Sequence, residues 1–403
     1  MSEWKDTEVG RIPASWKMGT LGEISSLLTD GSHSSPKISQ SDNLMASVKD
    51  MRYNHFDFSD CKTISDDDFE KLVKGKCSPE YGDILLSKDG ANCLDIIFVY
   101  KQSEKIVLLS SIAIARLEKG YNPDFYRYYL LSPQVQDLMK NNYVSGSAIP
   151  RVILKDFKNV PVPLIPLVTQ NSIAEVLSSL DDKIDLLHRQ NQTLELMAET
   201  LFRQWFVENS NPEWEERPLS SIATFLNGLA CQKYLPQNDV DKLPVLKIKE
   251  LRNGITEDCD WCTTEVDEKY IVENGDVIFS WSASLMVKIW DGETCILNQH
   301  LFKVTSDEFP KWYFYLWSKF HLDQFIAIAR AHATTMGHIK RGDLDEAMVL
   351  TPSEDEINEM SAHFEPVIDK ITVNNRQISK LVAFRDTLLP KLMSGEISID
   401  TDE

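Results

Sequence analysis

Between residues 173 and 205 the apolar positions recur in unbroken alternating steps of four and three. The series is Ile173, Leu177, Leu180, Ile184, Leu187, Asn191, Leu194, Ala198, Leu201 and Trp205, the seam of a heptad repeat. A second series runs Met360, Phe364, Val367, Ile371, Asn374, Ile378, Leu381, Arg385, Leu388 and Leu392, where Arg385 alone does not suit a buried seam. Seams of this length exceed what a helix of a globular domain needs. The pattern therefore predicts two long helices, each presenting a coiled-coil seam. Upstream of each seam, short apolar runs such as Ile84 to Ser87, Val160 to Leu164 and Val277 to Ser280 read as strands. Phe125 to Ser132 and Trp312 to Ser318 read as helices, so the fold class expected is α+β.

The two seams are copies. Asp182-Lys183-Ile184, Arg189-Gln190 and Thr200-Leu201 return 187 residues later as Asp369-Lys370-Ile371, Arg376-Gln377 and Thr387-Leu388. The same offset joins Tyr128 to Tyr315 and Asp156 to Asp343, while Gly82-Asp83 meets Gly275-Asp276 at 193 and Trp16 meets Trp214 at 198. A long amphipathic helix cannot take an insertion without turning its apolar face from its partner, whereas a globular segment hides insertions in loops. The chain is thus an internal two-fold repeat: globular segments 1–165 and 208–352, helical segments 166–207 and 353–403. Residues 170 to 206 as one helix would span about 55 Å at ~1.5 Å per residue.

At 42% hydrophobic and 26% charged over 403 residues, the composition is that of a globular chain with two cores. No apolar run approaches the ~18 residues of a membrane helix, and the N-terminus lacks the basic and apolar regions of a secretory leader. The location expected is the cytoplasm, with no membrane partner. Seven scattered cysteines suit reduced thiols better than disulfides. The net charge of −20 is uneven. Lys+Arg against Asp+Glu stand at 20 to 22 in residues 1–165, 3 to 6 in 166–207, 14 to 23 in 208–352 and 5 to 11 in 353–403. A lone binder of duplex DNA is usually basic, so any DNA affinity here is expected to be shared with a partner.

The sequence offers three fragments of catalytic or metal motifs, and none is complete. Cys259-Asp260-Trp261-Cys262 offers two thiols but no second ligand pair, and the first repeat has no counterpart. Asn122-Pro123-Asp124-Phe125 resembles the amine-gripping loop of amino-methyltransferases, but Asp breaks the pattern and no glycine-rich cofactor turn precedes it. A helix start is the better reading. Asp181 and Lys183 read as a surface ion pair outside the seam, since metal-dependent cleavage needs several converging carboxylates. Three segments suit nucleic acid. One is the loop Thr29 to Lys37, with Ser32, His33 and Lys37. Another runs Ser145 to Arg151 and on to Lys155 and Lys158, with Ser147, Arg151 and Lys155 as candidates. The third, Arg330 to Arg341, offers Arg330, Thr334, Thr335, His338, Lys340 and Arg341 in an otherwise acidic domain. Hydroxyls with Arg and Lys are what phosphates and base edges require; an exposed loop and helix cap is the competing account of each segment.

Gly10-Arg11-Ile12-Pro13 with Trp16 and Leu21-Gly22-Glu23-Ile24, the Gly-Asp strand starts at 82 and 275, Leu201-Phe202-Arg203-Gln204-Trp205-Phe206, and Leu388-Leu389-Pro390-Lys391-Leu392-Met393-Ser394-Gly395-Glu396-Ile397 together resemble the specificity subunit of type I restriction-modification systems. The resemblance implies two target-recognition domains, each reading half of a split double-stranded DNA site, held apart by the two helices, which pair as an antiparallel coiled coil and set the spacer. It further implies docking of two methyltransferase subunits, which carry the S-adenosylmethionine, and of restriction (motor) subunits. No cofactor, metal or catalytic residue is expected in this chain. Competing readings are the specificity subunit of a fused restriction-methyltransferase system, a solitary DNA-binding protein, and an enzyme in its own right. Finally, full antiparallel overlap of the seams puts Asn191 and Asn374 in one central layer, where an amide pair would fix the register.

Overall fold

The computed structural model describes residues 4–146, 149–256, 258–331 and 337–399. They form two compact units, one within residues 4–182 and 384–399 and one within residues 183–383. Each unit combines a globular domain with parts of both long helices, Leu167–Arg203 and Glu354–Met393.

The first domain is built on a four-stranded antiparallel sheet in the order Ser25–Asp30, Ile112–Leu117, Ile84–Ser87, Ile97–Val99. Alternation along Ile84-Leu85-Leu86 sends successive side chains to opposite faces, and both faces are covered. Ile84 and Leu86 meet the helix Pro123–Leu131, while Leu85 joins Phe56, Phe98 and Ile106 on the other side. That helix begins where Asn122 Oδ1 accepts from the amides of Asp124 and Phe125, with proline in its first turn. A three-stranded sheet pairs Leu44–Ala46 in parallel with Ile106–Leu108, and Lys17–Thr20 closes the domain against Pro161–Leu164.

The second domain repeats this plan. Its main sheet runs Thr224–Asn227, Leu301–Thr305, Val277–Ser280, Met286–Ile289. Lys242–Leu246 pairs in parallel with Cys295–Leu297, and Glu215–Pro218 closes against Met348–Thr351. Offsets of 198 and 187 thus meet in a single strand pair, so the length difference is absorbed between the closing strands. The aromatic helix Lys311–Phe320 takes the place of Pro123–Leu131, with Trp312, Phe314 and Trp317 all buried.

All twenty seam positions are buried or half-buried. In the first unit Ile173 and Leu177 share a core with Leu389 and Leu392. In the second, Leu187 and Ile184 pack with Ile378, and the Trp205 ring lies 5.5 Å from Phe364. Late positions of the first helix meet early positions of the second, the antiparallel sense.

Two sequence readings change here. Asp181 is not on the outside of the seam but buried, accepting from Arg127 Nη1 at 3.1 Å, Tyr128 Oη at 2.8 Å and Arg385 Nη1 at 2.9 Å. The physical reason is Arg127, which the aromatic helix carries into the core and which only a carboxylate can neutralise. Arg385, out of place in an apolar seam, is the second cation on Asp181 and stacks 5.5 Å from the Tyr53 ring. Burial by itself would raise the Asp181 pKa; Arg127, Arg385 and the Tyr128 hydroxyl outweigh it and hold the carboxyl below the usual carboxylate range.

Candidate nucleic-acid interface

In the first domain the two candidate segments converge on one ionic chain. Gly31, the residue after the edge strand Ser25–Asp30, is pressed against the neighbouring backbone, where a Cβ would collide with the Leu108 carbonyl. That approach sets Asp30 beside Lys88, the first residue after Ile84–Ser87. Lys88 Nζ donates to Asp30 Oδ2 at 2.8 Å and lies 3.8 Å from Asp89 Oδ1. His33 Nε2 lies 3.2 Å from the same Asp30 oxygen, and Arg151 Nε donates to Asp89 Oδ1 at 3.1 Å. Lys88 is only 6% exposed, so its desolvation is offset by the two carboxylates. His33 and Arg151, at 76% and 62%, stand at the exposed ends of the chain. Lys37 and Lys155 are exposed nearby in sequence. Ser32 differs from its expected role: its hydroxyl is buried and donates to the Ser34 carbonyl at 2.7 Å, so it shapes the loop. Ser147 lies outside the described residues.

The second domain has the same backbone arrangement with other side chains. A Cβ at Gly228 would collide with the Asn298 carbonyl, as Gly31 would with Leu108. Trp281, the first residue after Val277–Ser280, donates from Nε1 to Asn227 Oδ1 at 3.0 Å. Its ring stacks 5.8 Å from Phe302, with His300 at 5.7 Å and His338 at 6.4 Å. His338 bridges in backbone register to Ser282, whose hydroxyl is 3.3 Å from His300 Nδ1. Arg330 is exposed at the end of Leu322–Ala331, and Lys340 and Arg341 are exposed at the start of Arg341–Glu346. Thr334 and Thr335 lie outside the described residues.

Sequence reasoning missed Asp30 as a partner, together with Lys88, Asp89, Asn227, Trp281 and His300. A signal was present: carrying the Gly82-Asp83 to Gly275-Asp276 match six residues onward lands on Lys88 and Trp281, where one repeat changes charge for an indole.

At the helix pair, Asn374 Nδ2 donates to Asn191 Oδ1 at 2.8 Å, and Asn191 Nδ2 donates to Asn375 Oδ1 at 2.6 Å. The sequence reading contained the first bond and not the third asparagine. Asn374 Oδ1 is buried and accepts from no described residue.

No group of three or more His, Cys, Asp or Glu among the described residues is placed to hold a metal ion. Cys262 packs on Cys231, Val245 and Ile296, and burial pushes the Cys231 thiol up to about 12, which keeps it protonated and a poor ligand. The arrangement offers cations, amides, imidazoles and an indole at loop ends, the chemistry of contact with phosphates and base edges.

The family model for the type I restriction modification DNA specificity domain matches residues 13–196 and again 211–383. The MjaIX type I restriction enzyme specificity subunit of Methanocaldococcus jannaschii is 24% identical, over 99% of this chain and 97% of that one. The HindI specificity subunit of Haemophilus influenzae is 20% identical, over 78% and 86%. The solved S subunit of a type I restriction-modification system from M. genitalium shares the fold at a TM-score of 0.53 with 14% identity, covering 96% of this chain and 97% of that one. With both of its repeats matched, this chain belongs to the type I restriction modification DNA specificity domain family.

Proposed function

We propose that each domain of this DNA specificity subunit reads one half of a bipartite double-stranded site through the loops at the ends of its four-stranded sheet. The long helices would set the spacer and dock two methyltransferase subunits, with restriction (motor) subunits joining that assembly. The observation that carries the reading is the doubled scaffold: one backbone arrangement, Gly31 with Lys88 and Gly228 with Trp281, presents different side chains. Two readers of one design and different chemistry suit a site of two unlike halves.

Recognition is the chain's own task, and the chemistry belongs to its partners. S-adenosylmethionine is assigned to the methyltransferase subunits. The acidity also finds a place, because partner subunits can supply part of the surface that neutralises DNA phosphates. No helix among the described residues is long and apolar enough to cross a membrane, and the compartment proposed is the cytoplasm, where host DNA is available.

Mapping of methylated bases in host DNA with and without this gene tests the proposal. The expected result is a bipartite methylated motif that vanishes with the gene. An unchanged methylation pattern, or label from S-adenosylmethionine transferred to DNA by the purified chain alone, would contradict it.

A further inference from the structure

The main sheets of the two domains can be matched through their strand registers, without reference to sequence similarity. Ala113 pairs with Asp30 on one side and Leu86 on the other. Phe302 pairs with Asn227 and with Phe279. Asp30 and Asn227 are therefore equivalent, and two residues past Leu86 and Phe279 stand the equivalents Lys88 and Trp281. The backbone bridges Asp89 to Arg151 and Ser282 to His338 complete the match.

In both domains the residue after the strand donates a hydrogen bond to the residue ending the edge strand. Lys88 Nζ donates to Asp30 Oδ2 at 2.8 Å, and Trp281 Nε1 to Asn227 Oδ1 at 3.0 Å. The bond is kept while its chemistry passes from ionic to neutral.

Resting on the function proposed above, we infer that residues 30 and 227 are base-discriminating positions, held in orientation by Lys88 and Trp281. The chemistry differs in a defined way. His33 and Lys88 both engage Asp30 Oδ2, so Asp30 presents Oδ1 as an acceptor, which selects a base-edge donor such as the cytosine amino group. In Asn227 the indole N–H occupies the carbonyl and so fixes the plane of the amide. Its NH2 then points away from the indole and donates to no described residue. A fixed donor selects a base-edge acceptor, such as guanine O6 or thymine O4, and rejects the cytosine amino group. Trp281 is a positioning residue: wedged against Phe302, with His300 and His338 at its sides, it has no freedom to release the amide.

Methylation mapping in host cells carrying the whole system tests this with Asn227→Asp and Trp281→Phe. Asn227→Asp replaces the donor by an acceptor and is expected to change one base position of a single half-site from an acceptor base to a donor base. Trp281→Phe keeps the ring but releases the amide, so the same position should relax, with methylation of near-cognate sites rising about tenfold, the order of one base contact. The other half-site and the spacer should stay as they are. The inference is overturned if both variants keep the wild-type motif at wild-type extent, if the change falls in both half-sites, or if both variants abolish methylation altogether. A wild-type system that leaves no bipartite motif would instead refute the function on which the inference rests.

Discussion

Asp181 holds Arg127 and Arg385 in place by being buried between them, and the repeat supplies its own control. At an offset of 187, Asp181, Arg127 and, in the reverse sense, Arg385 correspond to Ile368, Phe314 and Ala198, all buried in one apolar core of the second unit. One repeat thus solves with ions what the other solves with hydrocarbon. Removing one member leaves uncompensated charge, so Asp181→Ala is expected to destabilise by about 3–5 kcal/mol. The triple exchange Asp181→Ile, Arg127→Phe, Arg385→Ala should cost far less, and urea unfolding of the three proteins compares them. Because the folded carboxyl is held below its ordinary value of about 3.9, its contribution is present above that pH and lost as pH falls through the folded value. Wild type should therefore lose stability below about pH 4 more steeply than the triple variant. At the proposed DNA contacts, Arg151→Ala and Arg341→Ala are expected to weaken binding. Loss of a phosphate contact would lower the salt slope by about one, whereas loss of a base contact would relax sequence choice.

On the scale of elements, the long helices were legible because heptad periodicity is local, and twenty side chains report the same face. The ionic cluster was not, because the partner that draws Asp181 inward sits far upstream on Pro123–Leu131. The asparagine layer was half legible: Asn191 and Asn374 occupy seam positions, whereas Asn375 stands one residue off the seam, where heptad periodicity says nothing of it. The third residue alters what mutation should do. Leucine at both Asn191 and Asn374 would strand the Asn375 amide in a buried site, at a cost of roughly 1–3 kcal/mol. Adding Asn375→Leu should recover much of that loss while weakening the constraint on register. Thermal unfolding measures the first effect. Crosslinking between cysteines placed along the two helices measures the second, and a triple variant less stable than the double would contradict the account. The candidate interface was legible as segments and illegible as partnerships, since Asp30, the adjacent Lys88 and Asp89, and Arg151 come from three separate stretches that only the fold brings together.

For the molecule as a whole, the repeat is more informative than the net charge. A chain at −20 reads as a poor DNA binder if the charge is averaged, yet its first globular segment is almost balanced, and His33 and Arg151 stand exposed at the ends of its ionic chain. The duplicated scaffold places function in two modules, and the central claim is that each module reads its half-site independently. The direct measurement is methylation mapping after residues 1–165 are exchanged for the corresponding domain of a relative with a different target. The account predicts that one half-site changes to that of the donor while the other half-site and the spacer length persist. Simultaneous change of both half-sites, or a changed spacer with both half-sites intact, would contradict it.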